Sequence, residues 1–260
     1  MDRSPSSLHH ALDTLEAFQY GSKDFSAREL HQMLGIPRAT QYRLLRVLEQ
    51  RGYLRRDSQS GRYKLGYKIL QLSASAQEQI ELVDLAQGVL QRMWGEAKET
   101  THLAVLDGVE VMYLRVLESP TPHQFVLRAG IRAPSHCVSP GLAMLAFAPG
   151  EKVEEVIAAG LKPLTDRTVL TAEGLRERLA DVRRRGYSVN RGQWRERGGG
   201  VSAPVFDYRG EAVAAVGLSG PIDRLTEDRI PVLGRIAVRG AEEISKALGA
   251  ERAPARAGAG

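Results

Sequence analysis

"RATQYRLLRVLEQRGYLRR", residues 38–56, holds six arginines and four leucines. Wound at about 100° per residue, it puts Gln41, Leu44, Leu45 and Leu48 in one stripe and Ala39, Tyr42, Arg43 and Arg46 roughly opposite. The leucines form a packing face, and the cations look outward. Pro37 suits a first helical position, where the backbone N–H is unpaired in any case, and Gly52 supplies a stop. The spacing therefore predicts a helix over Pro37–Arg51.

Upstream, "SARELHQMLG" opens with Ser26 and Glu29 at capping-box spacing, carries Leu30, Met33 and Leu34 on one face, and ends at Gly35. Two helices joined by a Gly35-Ile36 turn make a helix-turn-helix. Before them, Leu8, Leu12, Leu15 and Phe18 recur at helical spacing, which predicts a third helix closing the small core. After Gly52 the period becomes two: "YLRRD" and "RYKL" flank the turn residues "SQSG" and predict a β-hairpin. Leu54 and Leu65 are expected to face the core, with Arg55, Arg62 and Lys64 outside.

Charge follows the same segment. Between Arg38 and Lys68, nine Lys/Arg stand against Glu49 and Asp57, so the segment carries +7 and the rest of this +5 chain carries −2. A solvated face accounts for arginines on one helix, but not for a basic hairpin hanging beside that same face. A winged helix-turn-helix on double-stranded DNA accounts for both. Arg43, Arg46, Tyr42 and Ala39 are then expected at the major groove, with Arg38 and Thr40 at its edge. Arg55, Arg62 and Lys64 are expected on phosphates.

A chain of 260 residues is long enough for two domains. No stretch approaches the ~18 apolar residues of a membrane span, and "MDRSPSSLHH" lacks the apolar run of a secretory signal. Cys137 is the only cysteine, which excludes an intrachain disulfide and fits a cytoplasmic protein. There is no phosphate-cradling glycine loop, nucleophile elbow or HExxH pattern, so the expectation is not an enzyme. His9, His10, His102, His123 and His136 lack metal-ligand spacing, and no cofactor is expected.

Beyond the hairpin, "LGYKILQLSASAQEQ" and "ELVDLAQGVLQRMW" read as helices, the second with Leu82, Leu85, Val89, Leu90 and Met93 as its apolar face. Strands are expected in "THLAVLDGVEVMYLRV", with a turn at Asp107-Gly108, and in "HQFVLRAG", "SAPVFD" and "EAVAAVGLSG". Helices are expected near Gly141–Phe147, Lys152–Ala159, Ala172–Arg185 and Ile230–Leu248. This mixture predicts an α+β domain around an antiparallel sheet, followed by a low-complexity, disordered tail over residues 250–260. In "HCVSPGLAMLAF", Ser139 is a natural N-cap, Pro140 a first helical residue and Gly141 an open backbone. Such a start either caps its own helix or holds a carboxylate through free N–H groups.

With these motifs in place, "ALDTLEAF", "SARELHQMLGIPRATQYRLLRVLEQRGYLRRDSQSGRYKLG" and several later stretches resemble the IclR family of bacterial transcriptional regulators, from about Leu8 to Gly249. The resemblance implies a winged helix-turn-helix domain over residues 1–67, a linker helix over 68–80 and a GAF-like effector-binding domain over 81–249. It also implies homodimers or homotetramers. Carried over motif by motif, the family's effector pocket falls on Phe125, Ala133, Ser139, Pro140, Asn190, Gly198, Gly200, Gly217 and Ser219. Four positions depart from the family pattern. Leu142 stands at a usual lysine, Asn190 at a frequent aspartate, Gly200 at a frequent cysteine, and Gln41 at a small aliphatic or threonine. Gln41 is left either at the edge of the core or turned to DNA. The run Gly198–Gly200 predicts a larger or less polar cavity.

The function expected is a sequence-specific regulator, repressor or activator, responsive to a small organic or aromatic carboxylic acid. The alternatives are a ligand-independent architectural DNA binder and a redox-responsive regulator acting through Cys137.

Overall fold

A computed structural model describes residues 7–19, 24–78, 81–121 and 127–250, and the chain divides into two compact units, Met1–Ile80 and Glu81–Gly260. The first unit begins with α1 (Ser7–Glu16), which tightens into a 3-10 turn over Ala17–Gln19. Then come α2 (Ala27–Leu34) and α3 (Arg38–Gln50). The expected capping box closes α2: Glu29 N donates to Ser26 Oγ at 3.2 Å and Ser26 N to Glu29 Oε2 at 2.7 Å. Gly35 ends α2 at φ +67°, a left-handed conformation that glycine adopts without penalty.

Leu30, Leu45, Leu48, Leu54 and Tyr63 form the core of this unit. Two expectations about it are corrected. Leu15 and Phe18 pack against this core as expected, but Leu8 and Leu12 are 66% and 48% exposed, and α1 fully buries Thr14, whose Oγ1 donates to His10 O at 2.7 Å. The hairpin of β1 (Leu54–Arg56) and β2 (Tyr63–Leu65) buries Tyr63 beside Leu54 and leaves Leu65 at its end, 38% exposed. The hairpin is braced from outside, since Phe25 exchanges backbone hydrogen bonds with Tyr63 at 3.0 and 2.7 Å. Next in the chain is α4 (Tyr67–Glu78).

The second unit opens with α5 (Glu81–Ala97). Its buried stripe is Val83, Ala86, Val89, Leu90, Met93 and Ala97; Leu85 is exposed. Two hairpin strands follow, β3 (Thr100–Asp107) and β4 (Glu110–Leu117), and the turn between them falls on Gly108-Val109, one residue later than expected. The strand expected in "HQFVLRAG" is corrected. Residues 122–126 lie outside the described residues, Leu127–Gly130 is not strand, and the strand there is β5 (Arg132–Pro134).

Helices α6 (Ser139–Leu145), α7 (Gly150–Ala158) and α8 (Ala172–Arg185) come next, then β6 (Ser188–Arg191), β7 (Gly198–Phe206), β8 (Ala212–Pro221) and α9 (Arg229–Ala247). The sheet is antiparallel, in the order β5-β4-β3-β8-β7-β6. Helices α5 and α9 pack together and against β3, β7 and β8. Short α6, buried along its whole length, lies between the sheet and α7 and α8, because Val138, Ala143 and Met144 meet the strands while Leu142 and Leu145 meet the helices. Alternation along the strands then decides what faces α6: His102 pairs with Gly217 and Ser202 with Gly217, so all three share one face.

Candidate DNA interface and effector pocket

The outward face of α3 carries Arg38, Ala39, Tyr42, Arg43 and Arg46, all exposed, with Thr40 half-buried beside them. Opposite, Gln41 is buried with Leu44, Leu45 and Leu48, and its Nε2 donates to Thr14 Oγ1 at 3.3 Å. Gln41 therefore belongs to the packing face, where it links α3 to α1. Tyr42 is 59% exposed, a large aromatic left in solvent by a helix that had core positions to offer. Beside the start of α3, a hollow of about 260 Å3 is lined by Arg28, His31, Arg38 and Tyr42. Arg28 and His31 carry no signal in the apolar stripe of α2, which is all that its periodicity reveals.

The wing cations divide. Arg62 is tied to its own domain: Nε donates to Asp24 Oδ1 at 2.6 Å and Nη2 pairs with Glu29 at 2.8 Å. These partners raise its pKa, and Glu29 is lowered, first by the Ser26 backbone hydrogen bond. Lys64 lies 3.9 Å from Asp24 and 3.7 Å from Asp57. Both are thus partly neutralised within the domain, at positions that the sequence reading expects on phosphates. Arg55 and Arg56 are exposed and make no ion pair among the described residues. Arg55 lies over the Tyr67 ring at 5.3 Å, and Arg56 Nε donates to Gly61 O at 3.1 Å. Arg56 is a wing cation that the sequence reading missed.

In the second unit a polar cluster sits under α6. Ser139 Oγ and Ser202 Oγ are 2.8 Å apart, and His102 places Nε2 3.3 Å from Ser202 Oγ and Nδ1 3.3 Å from Ser219 Oγ. Ser188 Oγ lies 2.6 Å from Ser139 O and 3.1 Å from Ser202 O, and its one O–H is shared between the two carbonyls. Burial pushes the His102 pKa down to about 3, so the ring is neutral and offers one donor and one acceptor, both of which a serine hydroxyl can meet. Its ring meets Tyr113 edge-on at 5.2 Å, and burial raises the Tyr113 phenol. Sequence reading missed His102, Tyr113, Ser188 and Ser202. The available signal was a lone histidine alternating into the inner face of an apolar strand.

Next to the cluster, Tyr113, Ser139, Asn190, Trp194, Gly200 and Ser219 border a cavity of about 10 Å3, also touched by Gly198 and Arg195. That is room for roughly one water. The larger cavity predicted from the glycines is corrected: Gly198–Gly200 is strand, and a Cβ on Gly200 would stand 2.9 Å from Ser139 Oγ, Ser219 Oγ and the Leu218 carbonyl. Missing side chains let the layers close up. Asn190 Oδ1 accepts from Gln193 N at 3.1 Å, and Trp194 packs against the Tyr113 cluster with the Arg195 guanidinium 4.3 Å over its ring.

Other expected pocket residues sit elsewhere. Ser139 is the first residue of α6 and caps nothing; Val138 holds the cap position. Gly141 faces the Ser135 backbone, which a Cβ would strike, and Gly217 likewise faces the Ser202 side chain. Ala133 is core and Pro140 is buried, neither bordering this cavity, and Phe125 lies outside the described residues. Cys137 is fully buried and its thiol is pushed up to about 12 by that burial, which removes the thiolate that redox sensing needs. Among the described residues no helix is long and apolar enough to cross a membrane.

Known proteins share this organisation. Residues 7–58 match the IclR helix-turn-helix domain, and residues 74–246 match the bacterial transcriptional regulator IclR C-terminal domain. The chain is 32% identical over 254 residues to the glycerol operon regulatory protein of Streptomyces griseus, covering 97% of this chain and 100% of that one. It is 29% identical over 249 residues to the transcriptional repressor IclR of Escherichia coli, covering 95% and 91%. Among solved structures, an IclR homolog from Microbacterium hydrocarbonoxydans complexed with 4-hydroxybenzoate superposes with a TM-score of 0.79 at 28% identity, covering 93% of this chain and 100% of that one. With family matches spanning both units and relatives that are regulators rather than enzymes, the chain belongs to the IclR family of transcriptional regulators, with a helix-turn-helix DNA-binding domain and a C-terminal effector-binding domain.

Proposed function

We propose that this regulator binds its operator as a cytoplasmic homodimer or homotetramer, with α4 as the linker helix, and is released or recruited by a small organic acid. Arg43, Arg46 and Tyr42 read base edges from α3, while Arg55 and Arg56 hold phosphates. The effector's carboxylate lies at Ser139 and Ser219, whose hydroxyls border one cavity, with the Asn190 amide as a further donor that does not repel an anion. The single observation that carries this is the convergence of those polar side chains, the aromatic Tyr113 and Trp194 and the cationic Arg195 on one nearly closed space. The aromatic acid bound by the Microbacterium structure supports the same ligand class. Because the cavity is nearly filled, the ligand selects a conformation in which the Trp194 side chain has moved aside.

Calorimetry on the full chain tests the reading. 4-Hydroxybenzoate binds wild type, binds Ser139→Ala more weakly, and its uncharged amide binds neither. Equal binding of acid and amide removes the anion site. Operator affinity unaffected by any carboxylic acid favours the ligand-independent architectural alternative.

A further inference from the structure

On the effector-binding unit, a cleft of about 460 Å3 opens between α8, β6 and the start of α9. Two periodicities build it. Arg178, Asp181, Val182 and Arg185 recur at i, i+3, i+4 and i+7 on α8, so one stripe of that helix forms a wall. On β6, Val189 and Arg191 point to the face opposite Asn190, so the cleft and the Ser139 cavity lie on the two sides of one edge strand.

The cleft contains a polar imbalance. Arg178 Nη1 and Arg191 Nε are buried and have no hydrogen-bond partner. Neighbouring acids do not satisfy them: Asp181 is engaged by Arg184 at 2.8 Å and Arg185 at 3.0 Å, and Glu227 is exposed and makes no ion pair among the described residues. A guanidinium N–H taken out of water without an acceptor is costly, so a ligand that brings acceptors to it relieves that cost. Burial also lowers the Arg178 pKa, against the opposing pull of the Asp181 charge. Leu142, Val189 and Ile230 give the cleft an apolar wall beside the arginines, and Gln193 and Glu227 line it as well.

We propose that this cleft is a second small-molecule site, which takes a carboxylate carried on an apolar body, its oxygens on Arg178 and Arg191 and its body against Leu142, Val189 and Ile230. The planar guanidinium fork matches a carboxylate's two oxygens, and the volume suits a small ligand. The site is independent of the Ser139 reading, since it uses other side chains on the other face of β6.

Benzoate, benzamide and inorganic phosphate are the probes, titrated calorimetrically into the full chain. Benzoate shows a binding component that Ser139→Ala leaves intact, that Arg178→Met with Arg191→Met weakens at least about tenfold, and that benzamide and phosphate lack. If benzoate binding disappears only in Ser139→Ala, the cleft proposal fails while the Ser139 reading stands. Disappearance of benzoate binding only in the arginine variant gives the reverse. A melting series without ligand separates a ligand site from a structural role: each single Arg→Met variant removes an unsatisfied buried donor and melts at or above wild type, and a lower melting temperature overturns the proposal. A change in sedimentation coefficient without a change in benzoate binding makes the cleft an interface between copies, which also overturns it.

Discussion

Arg43 stands on the exposed face of α3, opposite three buried leucines, so its removal leaves the helix packed. A bidentate contact to guanine makes Arg43→Ala cost about 1–3 kcal/mol on the cognate site and relaxes preference at one base pair. Fluorescence anisotropy on cognate and single-substituted operators measures both, and unchanged affinity in the folded variant takes Arg43 out of the interface. His102 gives a residue-scale prediction about acid. The folded imidazole stays neutral down to about pH 3, whereas the unfolded chain takes up that proton near pH 6.5. Stability from this group is complete above about pH 6.5 and declines as pH falls toward the folded value, at up to about 1.4 kcal/mol per pH unit. Urea unfolding should show wild type losing about 2 kcal/mol more than His102→Gln between pH 7 and pH 5. Equal losses would mean that the buried ring titrates normally.

At the scale of elements, the wing shows how a residue's type and its role separate. The hairpin, α2 and α3 were legible because period, cap and turn residues agreed: Ser26 with Glu29, Gly35 at positive φ, four positions of one stripe on α3. The partners of the wing cations were not legible, since Asp24 is 38 residues from Arg62 and only folding brings them to 2.6 Å. The same holds in the effector unit. The strand expected at "SAPVFD" begins earlier, at Gly198, although glycine is poor in strands: all three glycines pair with β8, and Gly199 and Gly200 pair with β6 as well. Local sequence carries no signal for that pairing or for the cavity it closes. The wing's division predicts its salt response. Replacing Arg55 and Arg56 by alanine should lower the slope of log affinity against log salt by about 0.9 for each phosphate that the wild-type arginines neutralise. Arg62→Ala should leave the slope nearly unchanged and lower the melting temperature of the DNA-binding unit. A slope that falls only in Arg62→Ala would mean its acids release it to DNA.

For the whole molecule the question is what covers the apolar side chains that the single chain leaves in solvent. Leu8 and Leu12 on α1, and Tyr67, Leu70 and Leu72 on α4, are all exposed. A leucine taken fully out of water contributes roughly 1.5–3 kcal/mol, so covering several of these residues with a second copy favours a dimer against the cost of association. A two-fold dimer would present two copies of α3 to DNA in opposite senses, and the operator should then be an inverted repeat with half-sites spaced by a helical turn or a multiple of it. Leu8→Glu with Leu12→Glu leaves Thr14 and its hydrogen bond to Gln41 in place, so the domain should fold while the dimer weakens by at least about tenfold. Sedimentation velocity reads the association state and footprinting the protected repeat. The expected result is a dimeric wild type protecting both half-sites and a variant that dissociates and binds the full site more weakly. A wild-type monomer protecting one half-site at full affinity would show that the exposed leucines are not an interface and that a single domain suffices for recognition.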